Sequence, residues 1–385
     1  MTNTSVLETC LTKRDFLKHC GSGFCSLYTA NLLGFPKTTY VQTAQKGLIK
    51  TKLSPFFTSL ADEKIQCELC PRRCRIPKDK RGFCRVRENR GGKCYSLVYG
   101  NPCALHLDPI EKKPFLHVLP GTTALSIATA GCNFDCKFCQ NWEIALAFPE
   151  EVYSYDIPPE IVVKKAKEMG SRSIAFSYVE PTVFFEYMLD IARLARKAGI
   201  LNIMHTNGYI NADPLINLCK VLDAAQVDLK GFTNSFYNKL CGGELAPVLE
   251  TLKILKQKNI HVEITNLMIP SRNDEMSLVK EMCIWLKEEM GADTPVHFDR
   301  FYPLHKLTRL PSTPVSTLEK AREVALSSGL EYVYVGNVPG HEAWNTFCPD
   351  CSKTLIRRSG YMIVEVHLKE GKCVYCGKAI AGIWA

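Results

Sequence analysis

Three cysteines with a distinctive spacing carry the strongest chemical signal in this sequence. Cys132, Cys136 and Cys139 form a C-x3-C-x2-C run, and no fourth cysteine follows at close range. A loop of this spacing can offer three thiolates to three irons of a [4Fe–4S] cluster, which leaves the fourth iron open. An open position can accept an external chelating ligand, as it does at catalytic metal sites generally. The alternatives are a closed structural site completed by a distant cysteine, or unrelated core thiols.

A second set of four cysteines precedes this triad in one compact segment rich in Arg and Gly. Its members form C-x2-C-x3-C-x9-C and are Cys67, Cys70, Cys74 and Cys84. Four thiolates can close a site around tetrahedral zinc or an auxiliary [4Fe–4S] cluster, and thiolate ligands alone do not decide between them. The x2 and x3 gaps resemble ferredoxin spacing and favour iron, and Cys94 or Cys103 could replace one ligand.

A third set lies near the carboxyl terminus as two C-x2-C pairs separated by 21 residues. Its members are Cys348, Cys351, Cys373 and Cys376. This spacing is typical of a zinc ribbon or a rubredoxin-like site, so we expect zinc first and mononuclear iron second. We expect this module, in which residues 361–368 read as a strand, to act as a folding staple or a docking surface.

The composition is that of a globular protein, apart from its cysteines. Hydrophobic residues make up 46% of the 385 and charged residues 23%, and the net charge of +9 comes without a long Lys/Arg run. Nucleic acid binding is therefore permitted but not indicated, and we expect none. The 19 cysteines fall in closely spaced groups that suit metal sites better than disulfides, which predicts maturation under reducing conditions.

Strand and helix patterns alternate from about residue 122 to 340. The predicted strands are rich in apolar and β-branched residues and cover 125–130, 173–177, 201–206, 225–229, 261–269, 296–301 and 332–335. Helical patterns cover 159–169, 183–197, 245–258, 277–290 and 316–327. Repeated βα units predict an α/β fold with a parallel sheet, either open and doubly wound or a partial barrel. The cysteine triad follows the first strand directly.

The triad resembles the signature of radical S-adenosylmethionine (SAM) enzymes, in which an aromatic residue such as Phe138 precedes the third cysteine. Further stretches resemble the radical SAM enzyme of the AmmeMemoRadiSam system, a relative of pyruvate formate-lyase activating enzymes. They are 70–74, 81–87, 108–114, 180–182, 206–209, 227–231 and 335–340. The resemblance implies a partial (β/α)6-type parallel barrel of radical SAM type, flanked by a Cys-rich N-terminal module and a C-terminal zinc-ribbon or rubredoxin-like module.

The resemblance also implies a reaction. SAM would chelate the open iron and be cleaved reductively to a 5′-deoxyadenosyl radical, which abstracts hydrogen from a small molecule or a partner protein. A low-potential electron donor of ferredoxin or flavodoxin type would be needed, and Memo-like and AMMECR-like proteins are the implied partners. The protein itself would bind, orient and exclude water.

Polar residues just past the strand ends are the candidates for SAM contacts, because ligands of parallel βα folds bind at that edge. They are Tyr178, Glu180, Thr206, Asn207, Asp228 and Lys230, with His297 on the sixth strand. The resemblance assigns Glu180 to the SAM ammonium, and Asp228 and Lys230 to ribose hydroxyls and the carboxylate. Taken singly, each could be a turn former or a solvated ion pair, and His297 is as often a hydrogen-bonded core residue.

Four segments follow from these patterns: an N-terminal arm at 1–45, the Cys-rich module at 46–110, the barrel at 111–340 and the ribbon at 341–385. In the arm, Lys13-Arg14 precedes a charge-free stretch, which resembles a twin-arginine export signal. We expect a cytoplasmic protein, because SAM and low-potential electrons are found there, with export left open. No segment is a secure transmembrane helix.

Two other functions remain to be weighed. The chain could be an activase that abstracts hydrogen from a glycine of a glycyl radical enzyme. It could also be a non-catalytic, metal-stapled module that binds protein or nucleic acid, but that hypothesis leaves the incomplete triad and the strand-end residues unexplained.

Overall fold

A computed structural model describes residues 43–384, and its central element is one eight-stranded sheet. The expected arm lies outside the described residues up to position 42. The strands are β1 (Ala104–Pro109), β2 (Thr123–Ala128), β3 (Ser173–Phe176), β4 (Leu201–Thr206), β5 (Ala224–Asp228), β6 (His261–Met268), β7 (Val296–Arg300) and β8 (Val333–Gly336). They lie side by side in chain order, β1 antiparallel to β2 and all other pairs parallel. Because the order never reverses, the sheet is a partial barrel rather than a doubly wound sheet.

Each connection between successive parallel strands contains one α-helix of eight or more residues, six in all among residues 43–384. They are α1 (Pro159–Glu168), α2 (Phe185–Lys197), α3 (Ala212–Cys219), α4 (Ala246–Gln257), α5 (Met276–Met290) and α6 (Val315–Ser327). The helix α2 is amphipathic, since Met188, Ile191 and Ala195 are buried while Lys197 is exposed. The predicted α/β fold is confirmed. The short α3 was missed, and β1 extends the sheet upstream of the expected boundary at 111.

The two faces of the sheet differ in character. Along β5, Ala225 and Val227 belong to the apolar core shared with the helices, whereas Gln226 and Asp228 point to the opposite, inner face. The inner face is polar on several strands, and Thr265 on β6 accepts a hydrogen bond from Gln226 there. This polar lining predicts an interior that binds ligand or water rather than a packed core.

The segment between β1 and β2 closes the lower end of the barrel. Its apolar side chains pack against small residues near the starts of the inner strands: Ile110, Phe115, Val118 and Leu119 against Ala124, Ala175, Ile203 and Ala224. The buried carboxylate of Glu263 on β6 accepts hydrogen bonds from the backbone N–H groups of Leu116 and His117, the latter at 2.8 Å, and contacts His297 Nε2 at 2.8 Å. The residues just before Leu116 thereby become the floor of the interior.

Short strands build the two flanking modules. The N-terminal module has one sheet of Phe57–Ser59, Ile65–Cys67 and Arg75–Ile76, and another of Lys52–Leu53, Lys93–Ser96 and Arg87–Arg90. Gln45–Lys46 pairs with Tyr153–Ser154. The C-terminal module has a sheet of Thr346–Phe347, Thr354–Ser359 and Met362–Val366, and a hairpin of Leu368–Lys369 and Lys372–Cys373.

Buried polar contacts fasten both modules to the barrel. Arg87 of the N-terminal module forms an ion pair with Glu186 on α2 at 2.7 Å, both side chains being almost inaccessible. Arg358 of the C-terminal module donates to the carbonyl of Leu116 at 2.8 Å, on the segment that closes the barrel. Within residues 43–384, none of the helices has the length and apolar character needed to cross a bilayer.

We expect Glu263→Ala to lower the free energy of unfolding by about 3 kcal/mol, because buried donors of the closing segment lose their acceptor. Hydrogen bonds and neighbouring histidines hold the Glu263 pKa below its ordinary value, despite the opposing effect of burial. Its contribution is thus present above about pH 4.3 and lost as the pH falls further. Urea denaturation across pH checks this. Glu289→Ala, which removes an exposed partner of Lys253, should change stability by less than about 0.5 kcal/mol.

Candidate active site

A cavity of about 760 Å³ opens at the carboxyl edge of the parallel strands. All three triad cysteines line it, together with the predicted contact residues Phe138, Tyr178, Glu180, Thr206, Asn207, Asp228 and Lys230. These residues come from the ends of β2, β3, β4 and β5, which the parallel arrangement brings to one edge. The volume lies in the upper part of the range usual for ligand pockets, roughly 300–1,000 Å³.

Backbone contacts hold the triad loop against the barrel. Asp135 N donates to the carbonyl of Cys241 at 3.1 Å, and Lys137 N donates to that of Leu240 at 2.9 Å. At the loop's start, Gly131 has φ +94°, and a β-carbon there would lie 2.6 Å from the carbonyl oxygen of Cys84. Only glycine fits this position, because the N-terminal module approaches the loop so closely.

Cys136 is buried and Cys132 and Cys139 are half-buried, and the surroundings of all three favour the uncharged thiol. Burial raises the pKa of Cys139 to about 11 and that of Cys132 further still. These sulfurs would therefore become thiolates only with a compensating cation, which is what a metal centre supplies. The Cys241 thiol lies beside Cys136 and raises its pKa, but Cys241 is not part of the cavity wall. Cys241 is thus a distant cysteine that adjoins the triad without lining its cavity.

Glu180 ties the ends of β3 and β4 together. Its Oε1 accepts hydrogen bonds from Thr182 N, Thr182 Oγ1 and Thr206 Oγ1, and its Oε2 accepts one from Asn207 N at 2.7 Å. Burial raises the Glu180 pKa, while these donors oppose the shift. Because Oε2 has a single partner, it retains capacity for one further donor.

Asp228 sits between two cationic or polar partners on the inner face. Its Oδ1 lies 2.7 Å from His205 Nε2, and its Oδ2 lies 2.6 Å from Lys230 Nζ. Lys230 and His205 hold the Asp228 pKa well below its usual range against the effect of burial. The charges are thus fixed in place on the wall that also carries the triad.

His297 is placed elsewhere. Its side chain is fully buried, hydrogen-bonds to Glu263 and stacks on Tyr334 with ring centroids 5.0 Å apart, and it does not line the cavity. It is a core histidine near the barrel's closed end, because its position on β7 lies two residues below the inner-face residue that reaches the cavity, Asp299.

Sequence reasoning missed part of the cavity wall. The 108–114 stretch was noticed for its pattern, and it forms the floor: Lys113 Nζ pairs with Asp108 at 2.6 Å and lies 3.9 Å from the centre of the Tyr178 ring. Asp299 on β7 also lines the cavity and was not predicted to do so. Burial raises its pKa to about 6. Arg358 of the C-terminal module also reaches the cavity, which no spacing along the chain could indicate.

The two flanking cysteine sets have different sizes. In the C-terminal set, the Sγ atoms of Cys348 and Cys376 are 3.5 Å apart and those of Cys351 and Cys373 3.8 Å apart. All four sulfurs lie within 4.8 Å of one another. Zinc–sulfur bonds of about 2.3 Å place tetrahedral sulfurs about 3.8 Å apart, so this set suits a single metal ion. The N-terminal set surrounds a small separate cavity, which all four of its cysteines line.

A parallel partial barrel with a three-cysteine loop at its carboxyl edge defines a radical SAM protein. The radical SAM superfamily model matches residues 126–281, and the chain belongs to this superfamily. It is 44% identical over 327 residues to the uncharacterized protein MJ0808 of Methanocaldococcus jannaschii, covering 84% of this chain and 97% of that relative.

Two further likenesses are more distant. The chain is 28% identical over 151 residues to the pyruvate formate-lyase 1-activating enzyme of Escherichia coli strain K12, covering 38% of this chain and 61% of the relative. A crystal structure of a radical SAM methyltransferase from Sphaerobacter thermophilus overlaps 75% of this chain and 77% of its own, with 12% identity and a TM-score of 0.46.

We predict that Cys348→Ser loses about one bound metal ion per chain and lowers the melting temperature by roughly 5–10 °C, because metal binding contributes to folding. Elemental analysis and differential scanning fluorimetry measure both. Cys219→Ser, a change at a thiol in α3 outside all three sets, should retain the metal ion. Lost metal with unchanged melting would contradict a structural role for the C-terminal cysteine set.

Proposed function

We propose that this chain cleaves SAM reductively at a [4Fe–4S] cluster held by Cys132, Cys136 and Cys139, and uses the product to abstract hydrogen from a substrate. The observation that carries this proposal is that, among residues 43–384, three thiols without a fourth line one cavity together with the Glu180 carboxyl and the Asp228–Lys230 ion pair. When bound and reduced, the cluster and SAM together supply a 5′-deoxyadenosyl radical.

The residues of the cavity suit these two groups. Three thiols on a single wall match a cluster with one open iron, and Cys241 stands behind Cys136 rather than facing the cavity. Glu180 Oε2 retains one acceptor position for the ammonium of SAM. Lys230 offers a cation to its carboxylate, and Asp228 an acceptor to its ribose hydroxyls.

The remaining wall positions the substrate and excludes water. Lys113 and Tyr178, which both contact Asp108, form the floor, and Arg358 and neighbouring residues of the C-terminal module close one side. A cavity built from three parts of the chain shields a reactive radical from solvent. We place the reaction in the cytoplasm, with a ferredoxin- or flavodoxin-type donor, and Memo-like and AMMECR-like proteins remain the proposed partners.

The N-terminal and C-terminal cysteine sets each bind a further metal centre in this proposal. We assign zinc to Cys348, Cys351, Cys373 and Cys376, in keeping with the short sulfur–sulfur distances. Cys67, Cys70, Cys74 and Cys84 form a second metal centre, for which zinc and [4Fe–4S] are the two options.

A second candidate function is activation of a glycyl radical enzyme, which the likeness to the Escherichia coli activating enzyme favours over part of the chain. Transfer of deuterium from the labelled glycine of a candidate glycyl radical enzyme into 5′-deoxyadenosine would support it. We favour a different substrate, because the two flanking modules exceed what a minimal activase requires.

We predict that Cys136→Ala abolishes 5′-deoxyadenosine formation in anaerobically reconstituted protein given SAM and dithionite, because the cluster loses a ligand. Cys241→Ala removes the neighbouring thiol, which lies outside the cavity, and should retain cleavage. Chromatography of the nucleoside product measures both. Cleavage that survives in Cys136→Ala, or is lost in Cys241→Ala with full iron content, would refute the ligand assignment.

Lys230→Ala should weaken SAM binding about ten- to hundredfold, since a hydrogen bond to a charged group contributes about 1.5–3 kcal/mol. Calorimetry on reconstituted protein gives the affinity. Lys239→Ala, at an exposed lysine of the short helix Tyr237–Cys241, is the matched control and should bind SAM like the unchanged protein. Equal affinities for the two variants would remove Lys230 from the SAM site.

A further inference from the structure

The N-terminal cysteine set is too widely spread for one metal ion. Within residues 43–384, the C-terminal four cysteines are the group whose ligand atoms all lie within 4.8 Å of one another, and no three of the N-terminal four do so. Both sets belong to the same chain and both consist of four cysteines. The difference is therefore one of geometry, and a polynuclear cluster needs the wider arrangement because its sulfur ligands bind separate irons.

The N-terminal cysteines instead surround a space of their own. All four line one small cavity, which Leu69, Ile76 and Val183 close with apolar side chains. The additional thiol of Cys94 lies beside Cys67, but Cys94 does not line this cavity. Four thiols directed at a shared, largely apolar space match the surroundings of a shielded iron–sulfur cluster.

Two arginines give this space a positive wall. Arg72 and Arg87 both line it, and Arg87 is 2% exposed. Arg87 pairs with Glu186 through Nη1 and donates to the Val183 carbonyl through Nη2, while its buried Nε has no partner among the described residues. A [4Fe–4S] cluster with four thiolates carries net negative charge, which nearby cations and hydrogen-bond donors offset. A buried, unpartnered N–H on a residue that lines the same cavity as four thiols suits such a cluster.

The N-terminal set also adjoins the catalytic triad. The Cys84 carbonyl packs against Gly131, the residue immediately before Cys132. Arg72, between Cys70 and Cys74, donates from Nε to the carbonyl of Asn133 at 2.6 Å, immediately after Cys132. Asn133 lines the small cavity, whereas its chain neighbours Cys132 and Phe134 line the large one.

We propose that Cys67, Cys70, Cys74 and Cys84 bind a [4Fe–4S] cluster that relays electrons to the triad centre. One electron enters from an external low-potential donor, reduces the N-terminal cluster and passes on to the triad centre, with no bond formed or broken at the N-terminal site. The identity of the acceptor rests on the proposed function, whereas the cluster assignment does not.

Metal content is the first test, and it needs no variant. Full-length, anaerobically reconstituted protein should contain about eight irons and one zinc per chain. Cys84→Ala should lose about four irons and keep the zinc, whereas Cys94→Ala, the matched buried thiol, should keep all of them. About four irons with two zincs in the unchanged protein would overturn the proposal, and so would full iron content in Cys84→Ala.

Electron paramagnetic resonance is the second test, and it does not depend on SAM cleavage. The reduced protein should show two cluster signals broadened by mutual interaction, and Cys84→Ala should show one sharp signal. The relay is tested by the ratio of 5′-deoxyadenosine formed with reduced flavodoxin to that formed with dithionite, which should fall at least tenfold in Cys84→Ala.

The outcomes separate the two proposals. Eight irons and two interacting signals without SAM cleavage would refute the proposed function but support the cluster assignment. An unchanged flavodoxin-to-dithionite ratio in a Cys84→Ala protein that has lost four irons would overturn the relay.

Discussion

The buried carboxylate of Glu263 holds together the part of the molecule on which the cavity depends. It accepts hydrogen bonds from the backbone of Leu116 and His117, inside a barrel whose inner face is polar. Without this acceptor, the segment between β1 and β2 would leave backbone donors unpaired in the interior, at a cost of about 1–3 kcal/mol each. The same segment supplies the cavity floor at Lys113 and the carbonyl to which Arg358 is attached. One buried anion therefore links the barrel, the floor and the C-terminal module.

A second constraint operates at the opposite end of the barrel. Gly131 allows the Cys84 carbonyl to approach the start of the triad loop, and Arg72 reaches across to Asn133 on the other side of Cys132. The loop is thus held from the barrel side by Cys241 and Leu240 and from the other side by the N-terminal module. A loop fixed on both sides presents its thiols in one arrangement, which is what preorganised metal binding requires.

The charged side chains around the cavity are already paired with one another. Other groups, such as the Glu180 carboxyl, can still accept a hydrogen bond. Asp228 is engaged by both His205 and Lys230, and Asp108 by Lys113 and the Tyr178 hydroxyl. Such pairing makes it possible to bury ions, because an isolated buried charge is far more costly. It also aligns the wall before any ligand enters. A polar interior lowers the stability of the fold, and the large helix-packed core on the outer face of the sheet compensates for it.

The sequence by itself determined the βα alternation, the triad and the strand-end residues, because apolar periodicity and short-range spacing are local properties. Glu180, Asp228 and Lys230 could be found because parallel strands end at one edge. Only the tertiary structure separated His297 from them, since depth along a strand decides whether an inner residue meets the cavity or the closed end. The floor at Lys113 and the contribution of Arg358 were likewise decided by long-range packing. The contact between Cys84 and Gly131 joins residues 47 positions apart, and no spacing rule encodes such a contact.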